Sequence, residues 1–569
     1  MRLIAFFVAA SLALLVNYSF APIVTMSNQL VAVLGWGLVL LLAPAPVPSR
    51  ATLRAAAPLL AALVLIAIAC LASILLGGLP SPPGIGVLGL IVLAGAVALH
   101  GASSGASALE GFFRPFAVAL AIGGILGAGI ACMQIFAVEH VGNAWIALPV
   151  QAGRAPGNIG QPNQFADFLV WALIALVPLA AHYAPERSGV SARRAGIALL
   201  ALFVLLGVAL TGSRTALVAL GMVAVWGVLD RNLERSTRAA LIAAPLLAFA
   251  MITAISRIGH VDVNARAGAD VTAYRADTWS NALSLIKAQP WTGVGWGQFN
   301  FAWTLTPFAS RPAGIVDNAH DLPLQLAVEL GIPAAALVFG LLLWSVWRPG
   351  WRVRRRPGEA GTMARSALMI VLVIGMHSLL EYPLWYAYLL LPAAWVWGVL
   401  LGAGAPEEAP PVVDASASPG VRAWRVLGLL MVVTAVSAWM DYLNIVTLFV
   451  PTSTSLPLDE RIQVAQASPL FSYQADYVAI TNARPTPEML PLVVRSSHVL
   501  LNGRLMFLWA NMLAAQGQMD KARYLAARLR EFDLSGPKPW YAPCDDPAVT
   551  VKPFQCLAPE HPVNWRDFR

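Results

Sequence analysis

Charge is scarce in this sequence. Asp, Glu, Lys and Arg supply 12% of its 569 residues, about half the share of an ordinary soluble domain. Hydrophobic residues supply 58%, and mean hydropathy is +0.69. A soluble enzyme is excluded on these figures. The short alternating segments of a transmembrane barrel are missing as well. No GxxxxGK[ST] loop is present to cradle a nucleotide phosphate, so energy must come from a substrate or a gradient. Cysteines number four, with no CxxC pair and no His–Cys cluster of metal-ligand spacing. Cys70 and Cys132 lie in apolar runs and read as small fillers. Cys544 and Cys556 lie in a polar tail and could close a small disulfide loop.

What is present is apolar runs of about 20 residues, the length of a membrane-crossing helix. Thirteen can be read: 3–20, 27–45, 57–77, 83–101, 115–137, 165–183, 196–211, 215–230, 239–256, 322–347, 366–380, 384–403 and 425–447. The first lacks a clean small-x-small cleavage site and is retained as a span. The expected fold class is an all-α polytopic membrane protein. The domain reading is a membrane domain over 1–403, a linker over 404–424, a last span over 425–447 and a small helical domain over 448–569. Within the tail, 505–532 reads as a helical hairpin with Ala510, Gly517 and Ala522 at its small positions.

Arginine sets the orientation. With the N-terminus inside, the basic loops 184–195, 231–238 and 348–365 are all inside. The net charge of +8 is thereby a matter of topology and points to no nucleic acid. The unusual polar motifs then share the outer side: 138–164, the turn 211–214, the loop 257–321, the corner 381–383 and the tail.

Each candidate residue has a bland and a chemical reading. His320 sits among Asp317, Asn318 and Asp321. It is either structural or a general base for a hydroxyl proton. Arg214 in TGSR and Arg275 in YRAD are either interfacial anchors or forks for phosphate oxygens. Gln161 and Asn163 in GNIGQPNQFADF either bind a polar ligand or cap a helix, with Asn163 the plausible N-cap. Glu381 and Tyr382 in HSLLEYPLWYAY are belt residues or site residues, and His377 is an ionisable group inside a span. Together these suit a phosphate-bearing substrate held in lipid.

In this order, GNIGQPNQFADF, TGSR, DNAHDLPLQLAVELG and HSLLEYPLWYAY resemble the bacterial O-antigen ligase and O-oligosaccharyltransferase superfamily. The resemblance covers residues 150–400 and is strongest to PglL-type protein O-oligosaccharyltransferases. The family's His motif has Asn, Ser or Gln after the histidine, then nine residues, then Gly. Here His320 is followed by Asp321, a departure, then nine residues, then Gly331. The resemblance implies a GT-C-like fold in the inner membrane with a large periplasmic loop and no cofactor or metal. It implies a glycan on undecaprenyl diphosphate as donor and a periplasmic protein, pilin-like proteins among them, as acceptor. By analogy His320 is the catalytic base, Arg214 and Arg275 hold the diphosphate, and Gln161, Asn163, Glu381 and Tyr382 line the substrate site. Rival readings are a ligase or Wzy-type polymerase with a glycan acceptor, a lipid-linked glycan transporter, and a scaffold acting through its tail. Span middles carry few polar groups, which argues against a transport path.

Overall fold

A computed structural model describes all residues except 150–152, 183–189, 258–270, 313, 407–418, 451–455, 483–485 and 533–537. Most of the expected linker thus lies outside the described residues. Every described element is helical. In chain order the membrane-type helices begin with α1 (Arg2–Leu15), α2 (Met26–Leu42), α3 (Arg50–Leu76), α4 (Ser81–Ser107) and α5 (Leu109–Phe136). They continue with α6 (Pro162–His182), α7 (Val190–Leu210), α8 (Arg214–Leu229) and α9 (Arg235–Arg257). Three polar-flanked helices follow: α10 (Val271–Ala288), α11 (Phe299–Leu305) and α12 (Leu322–Leu330). Then come α13 (Ile332–Val353), α14 (Gly358–His377), α15 (Ala387–Ala403) and α16 (Pro419–Phe449). The tail adds α17 (Leu458–Gln466), α18 (Ser472–Asn482), α19 (Leu490–Leu500), α20 (Gly503–Ala515), α21 (Met519–Arg530) and α22 (Lys538–Asp545).

Among the described residues nine helices are long and apolar enough to cross a membrane, and α1, α2, α8 and α15 are shorter apolar helices. The chain is a multi-pass membrane protein. One expected span is corrected. Residues 322–347 do not form one helix, because Gly331 breaks it at φ +78° and ψ 162°. That backbone region is open essentially to glycine alone.

The chain divides into two compact units. The first holds 1–62, 92–268 and 340–439. Its helices approach through small residues. α4 carries Gly101 and Gly105, and α15 carries Gly398 and Gly402. A Cβ on Gly101 would lie 2.1 Å from the Trp395 carbonyl oxygen, and one on Gly402 would lie 1.9 Å from that of Ala102. Two GxxxG faces therefore interlock at backbone contact distance. The Trp395 indole N–H donates to His100 Nδ1 at 3.1 Å, and His100 Nε2 bonds the Ala43 carbonyl at 2.9 Å. A buried imidazole is thus satisfied on both nitrogens.

The second unit holds 63–91, 269–339 and 440–569. Its core joins Phe299, Phe301 and Trp303 of α11 to Leu505, Trp509, Leu525 and Phe568 of the tail. The expected hairpin is α20 and α21. Ala510 and Ala522 are fully buried, and Gly517 turns the chain at φ +76°. Its apolar face is covered within this core, which answers how a single helix pair buries itself. The Tyr524 hydroxyl donates to the Leu305 carbonyl at 2.6 Å. Cys544 and Cys556 form a disulfide.

The break at Gly331 supports a close backbone approach. Val294 N donates to Val328 O at 2.8 Å, Gly295 N to Glu329 O at 3.0 Å and Ile332 N to Pro290 O at 2.8 Å. A Cβ on Gly331 would fall 2.4 Å from the Trp291 carbonyl oxygen. Gly331→Ala is expected to lower stability by about 1–3 kcal/mol from backbone strain. Thermal unfolding of the detergent-solubilised protein checks this, and an unchanged midpoint would refute it.

Candidate active site

In the first unit, residues 153–163 enter α6 through a polar turn. Gly157 sits at φ +64°, and a Cβ there would strike the Phe165 ring at 2.6 Å. Gln161 caps the helix: its Oε1 accepts from Asn163 N at 2.6 Å and from Gln164 N at 3.2 Å. The cap therefore falls on Gln161 rather than Asn163, because Pro162 takes the first helical position and lacks an N–H. Asn163, relieved of capping, is buried and satisfied by side chains. Its Oδ1 accepts from Ser213 Oγ at 2.9 Å and Arg154 Nη2 at 3.3 Å, and its Nδ2 donates to Glu381 Oε1 at 3.4 Å. Arg154 is anchored by Nε donating to the Thr211 carbonyl at 2.8 Å.

Ser213 also caps α8, accepting from Ala216 N at 3.2 Å. Arg214 follows as the first residue of α8 and is exposed. Among the described residues its guanidinium has no hydrogen bond or ion pair. A cation there adds to the positive end of the helix dipole. This corner attracts an anion and offers it a two-pronged donor.

Glu381 lies one turn beyond His377, whose carbonyl accepts from Glu381 N at 2.9 Å. His377 Nδ1 pairs with the Asp167 carboxylate, both fully buried. Asp167 is one turn beyond Asn163 on α6. Two rungs, Asn163–Glu381 and Asp167–His377, thus register α6 against the end of α14. Tyr382 stacks on Tyr386 at 6.0 Å and Tyr386 on Tyr388 at 5.3 Å. The Tyr388 hydroxyl donates to Gln164 Oε1 at 2.7 Å. The aromatic ladder ends on the same amide-rich turn.

His320 and Arg275 lie in the second unit. His320 is the one non-glycine residue at positive φ, +51°, among the described residues. Such strained backbone persists where surrounding bonds enforce it. His320 N donates to Asn318 Oδ1 at 2.8 Å, and Ala319 N to Gln325 Oε1 at 2.8 Å. The Trp279 indole N–H donates to the Ala319 carbonyl at 2.9 Å. Asp321 caps α12, accepting from Leu324 N at 2.8 Å. The departure from the family pattern is therefore a good N-cap. Burial pushes the Asp321 carboxyl up, and the Leu324 N–H pulls it back.

On α10 the Tyr274 ring meets the His320 ring edge-on at 6.3 Å, and Arg275 is the next residue. Glu329 closes the other end of α12. Burial pushes its carboxyl up to about 7, against N–H groups of Gly297 and Phe299 and the Gln325 amide. The result is a half-buried imidazole on a rigid turn, suited to take a hydroxyl proton.

The structure thus brings Gln161, Asn163, Ser213 beside Arg214, Glu381 and Tyr382 into one corner, and sets His320 beside Tyr274 in another. Sequence reading missed Arg154, Asp167 and Glu329. Asp167 carried a usable signal, an acid inside an apolar run. Glu329, inside the expected span 322–347, carried the same signal, and Arg154 carried none. Among the described residues no three His, Cys, Asp or Glu side chains gather closely enough to hold a metal ion.

Comparison with known proteins bears on these same residues. The O-antigen ligase family model matches 198–339, and the protein glycosylation ligase model matches 155–180. A third model, the C-terminal part of a virulence-factor membrane-bound polymerase, matches 366–532. A general O-oligosaccharyltransferase of Acinetobacter baylyi is 28% identical over 58% of this chain and 55% of its own. An O-antigen ligase of Pseudomonas aeruginosa is 28% identical over 33% of this chain and 44% of its own. A ComP-specific O-oligosaccharyltransferase of A. baylyi is 22% identical over 46% and 47%. The chain spans about half the length of these curated relatives. By motif, by family model and by relative, this chain is similar to the bacterial O-antigen ligases and protein O-oligosaccharyltransferases.

Proposed function

We propose that the protein is an oligosaccharyltransferase that moves a glycan en bloc from undecaprenyl diphosphate to Ser or Thr hydroxyls of periplasmic proteins. The observation that carries this reading is the protein glycosylation ligase match at 155–180, the stretch that supplies Gln161, Asn163 and Asp167. The acceptor oxygen attacks the anomeric carbon. The bond from that carbon to the diphosphate oxygen breaks, and undecaprenyl diphosphate leaves with the electron pair. His320 takes the acceptor proton. Arg214 and Arg275 hold the diphosphate and oppose its growing charge. Gln161, Asn163, Glu381 and Tyr382 shape the donor site.

The reading includes thirteen crossings of the inner membrane, with the loop before α12 and the tail in the periplasm. It rests on the arginine-rich loop 348–365 being cytoplasmic. The domain division 1–403, 404–424, 425–447 and 448–569 belongs to the same reading. Pilin-like acceptors fit it too. The likeness to an O-antigen ligase favours one second reading, transfer to a glycan of the lipid A core or to a growing polymer.

Purified protein in detergent is expected to add a glycan-sized mass to a Ser-rich periplasmic acceptor when given undecaprenyl-diphosphate glycan. Intact-mass spectrometry reads the gain. Label on lipid A core or on a lengthening glycan, with none on protein, would replace the first reading by the second.

A further inference from the structure

The far end of the first unit holds a feature the transfer reaction does not use. α13 carries Trp344, Arg348 and Arg352 at intervals of four, one face of a helix. Arg54 lies in the first turns of α3. These arginines, with Pro58, Trp344 and Leu401, line a cavity of about 400 Å³. Its other described lining residues include no acid. The α13–α15 seam below it is fixed: Arg352 Nη1 donates to the Gly404 carbonyl at 2.8 Å, and the Trp397 indole N–H to Ser345 Oγ at 2.9 Å.

Topology alone does not call for this arrangement. The positive-inside signal needs basic residues in a loop, in any geometry. Here Arg354 and Arg355 already sit nearby, stacked over the Trp351 ring at 4.9 and 5.5 Å. Arg54, Arg348 and Arg352 instead come from two helices to one apolar-floored cavity. Trp344, Trp347 and Trp351 beside it are 54%, 70% and 50% exposed, as indoles at a membrane interface are. A basic rim, an apolar floor and flanking indoles match a charged head with a hydrocarbon tail. Basic pockets between membrane helices on the cytoplasmic side take anionic lipid head groups.

We propose that this cavity binds one anionic phospholipid of the bilayer. Its phosphate sits among Arg54, Arg348 and Arg352, and an acyl chain lies along Pro58, Trp344 and Leu401. Guanidinium forks suit phosphate oxygens better than ammonium groups do.

The full chain would be placed in nanodiscs of dioleoylphosphatidylcholine with and without dioleoylphosphatidylglycerol, and lipid retention read by native mass spectrometry. Wild type is expected to retain one phosphatidylglycerol and no phosphatidylcholine. Each Arg→Gln change should weaken retention about fivefold, and R54Q/R348Q/R352Q on the order of a hundredfold. Arg354, Arg355 and Arg356 remain in the triple variant to preserve insertion. R54K/R348K/R352K keeps the topology signal outright and should still weaken retention several-fold. Equal retention by wild type and the triple glutamine variant, or equal retention of phosphatidylcholine, would overturn the proposal. So would a co-purified polyprenyl phosphate that only the triple glutamine variant loses.

Discussion

His320→Ala is expected to reduce glycan transfer by about 10²–10⁴-fold, the range for removing a general base, while the protein stays folded. The turn that presents His320 is held by backbone and neighbouring groups. Asn318 and Gln325 accept its N–H groups, Asp321 caps the next helix, and Trp279 bonds the Ala319 carbonyl. None of these is lost when the imidazole is removed. Alanine tolerates the positive φ of +51° somewhat less readily than histidine, so a small loss of stability in this variant is set apart from the loss of transfer by a second substitution. His320→Asn is the second variant, since asparagine tolerates left-handed backbone. Both should lose transfer, and His320→Asn should unfold close to the wild-type midpoint. Transfer within threefold of wild type in either would remove His320 from the reaction. An Arg214→Gln, His320→Ala double cycle then asks whether the two residues serve one step. Non-additive losses are the mark of groups acting together.

The His motif shows how far the sequence can be read. Nine residues separate Asp321 from Gly331, and α12 is the nine residues Leu322–Leu330. The spacing is the length of a helix from cap to cap: an N-cap, two and a half turns, and a glycine stop. Hydropathy alone joined this helix to α13, because both are apolar and one glycine carries little weight in an average. The other apolar helices were legible as apolar runs, since a backbone in lipid must satisfy its hydrogen bonds internally. Their pairing was not. Gly101 and Gly398 each stand in a visible GxxxG, but nothing in the sequence says that they face each other. The Asn163 corner fails for the same reason. Ser213 and Glu381 lie 50 and 218 residues away along the chain. Glu381 and the turn that holds Ser213 stand out in the sequence as polar and out of place, and only the fold supplies the partner. Of the two readings left open for Asn163, the capping one falls because Pro162 takes the first helical position and Gln161 makes the cap.

Arg311→Ala is expected to cost the second unit about 3–5 kcal/mol, the usual penalty for leaving half of a buried ion pair. The Arg311 side chain is 3% exposed and its Nε donates to Glu531 Oε2 at 2.8 Å. Its Nη groups donate to the carbonyls of Trp303 and Thr304 at 3.0 and 3.3 Å, and to that of Thr306. Its guanidinium lies 4.7, 4.9 and 4.6 Å from the ring centres of Trp303, Phe308 and Phe532. One cation thus joins the segment before His320 to the end of α21. Alanine would leave three carbonyls undonated and a void among three rings. Glu531 keeps Arg528 at 2.6 Å, which places the loss nearer the lower end of the range. Arg311→Met separates the causes: it refills much of the void and restores no donor, so it should recover packing and leave the polar cost. Arg311→Lys should also be destabilising, since an ammonium cannot reach the carboxylate and stack on the rings together. Limited proteolysis of the full chain reads the effect as faster cleavage within 269–339 and the tail. Wild-type cleavage rates in Arg311→Ala would show that the junction is held by the apolar core alone. Because Arg311 stands nine residues before His320, loosening this junction should also lower transfer, and Arg311→Met should restore part of it only if placement of the loop limits the reaction.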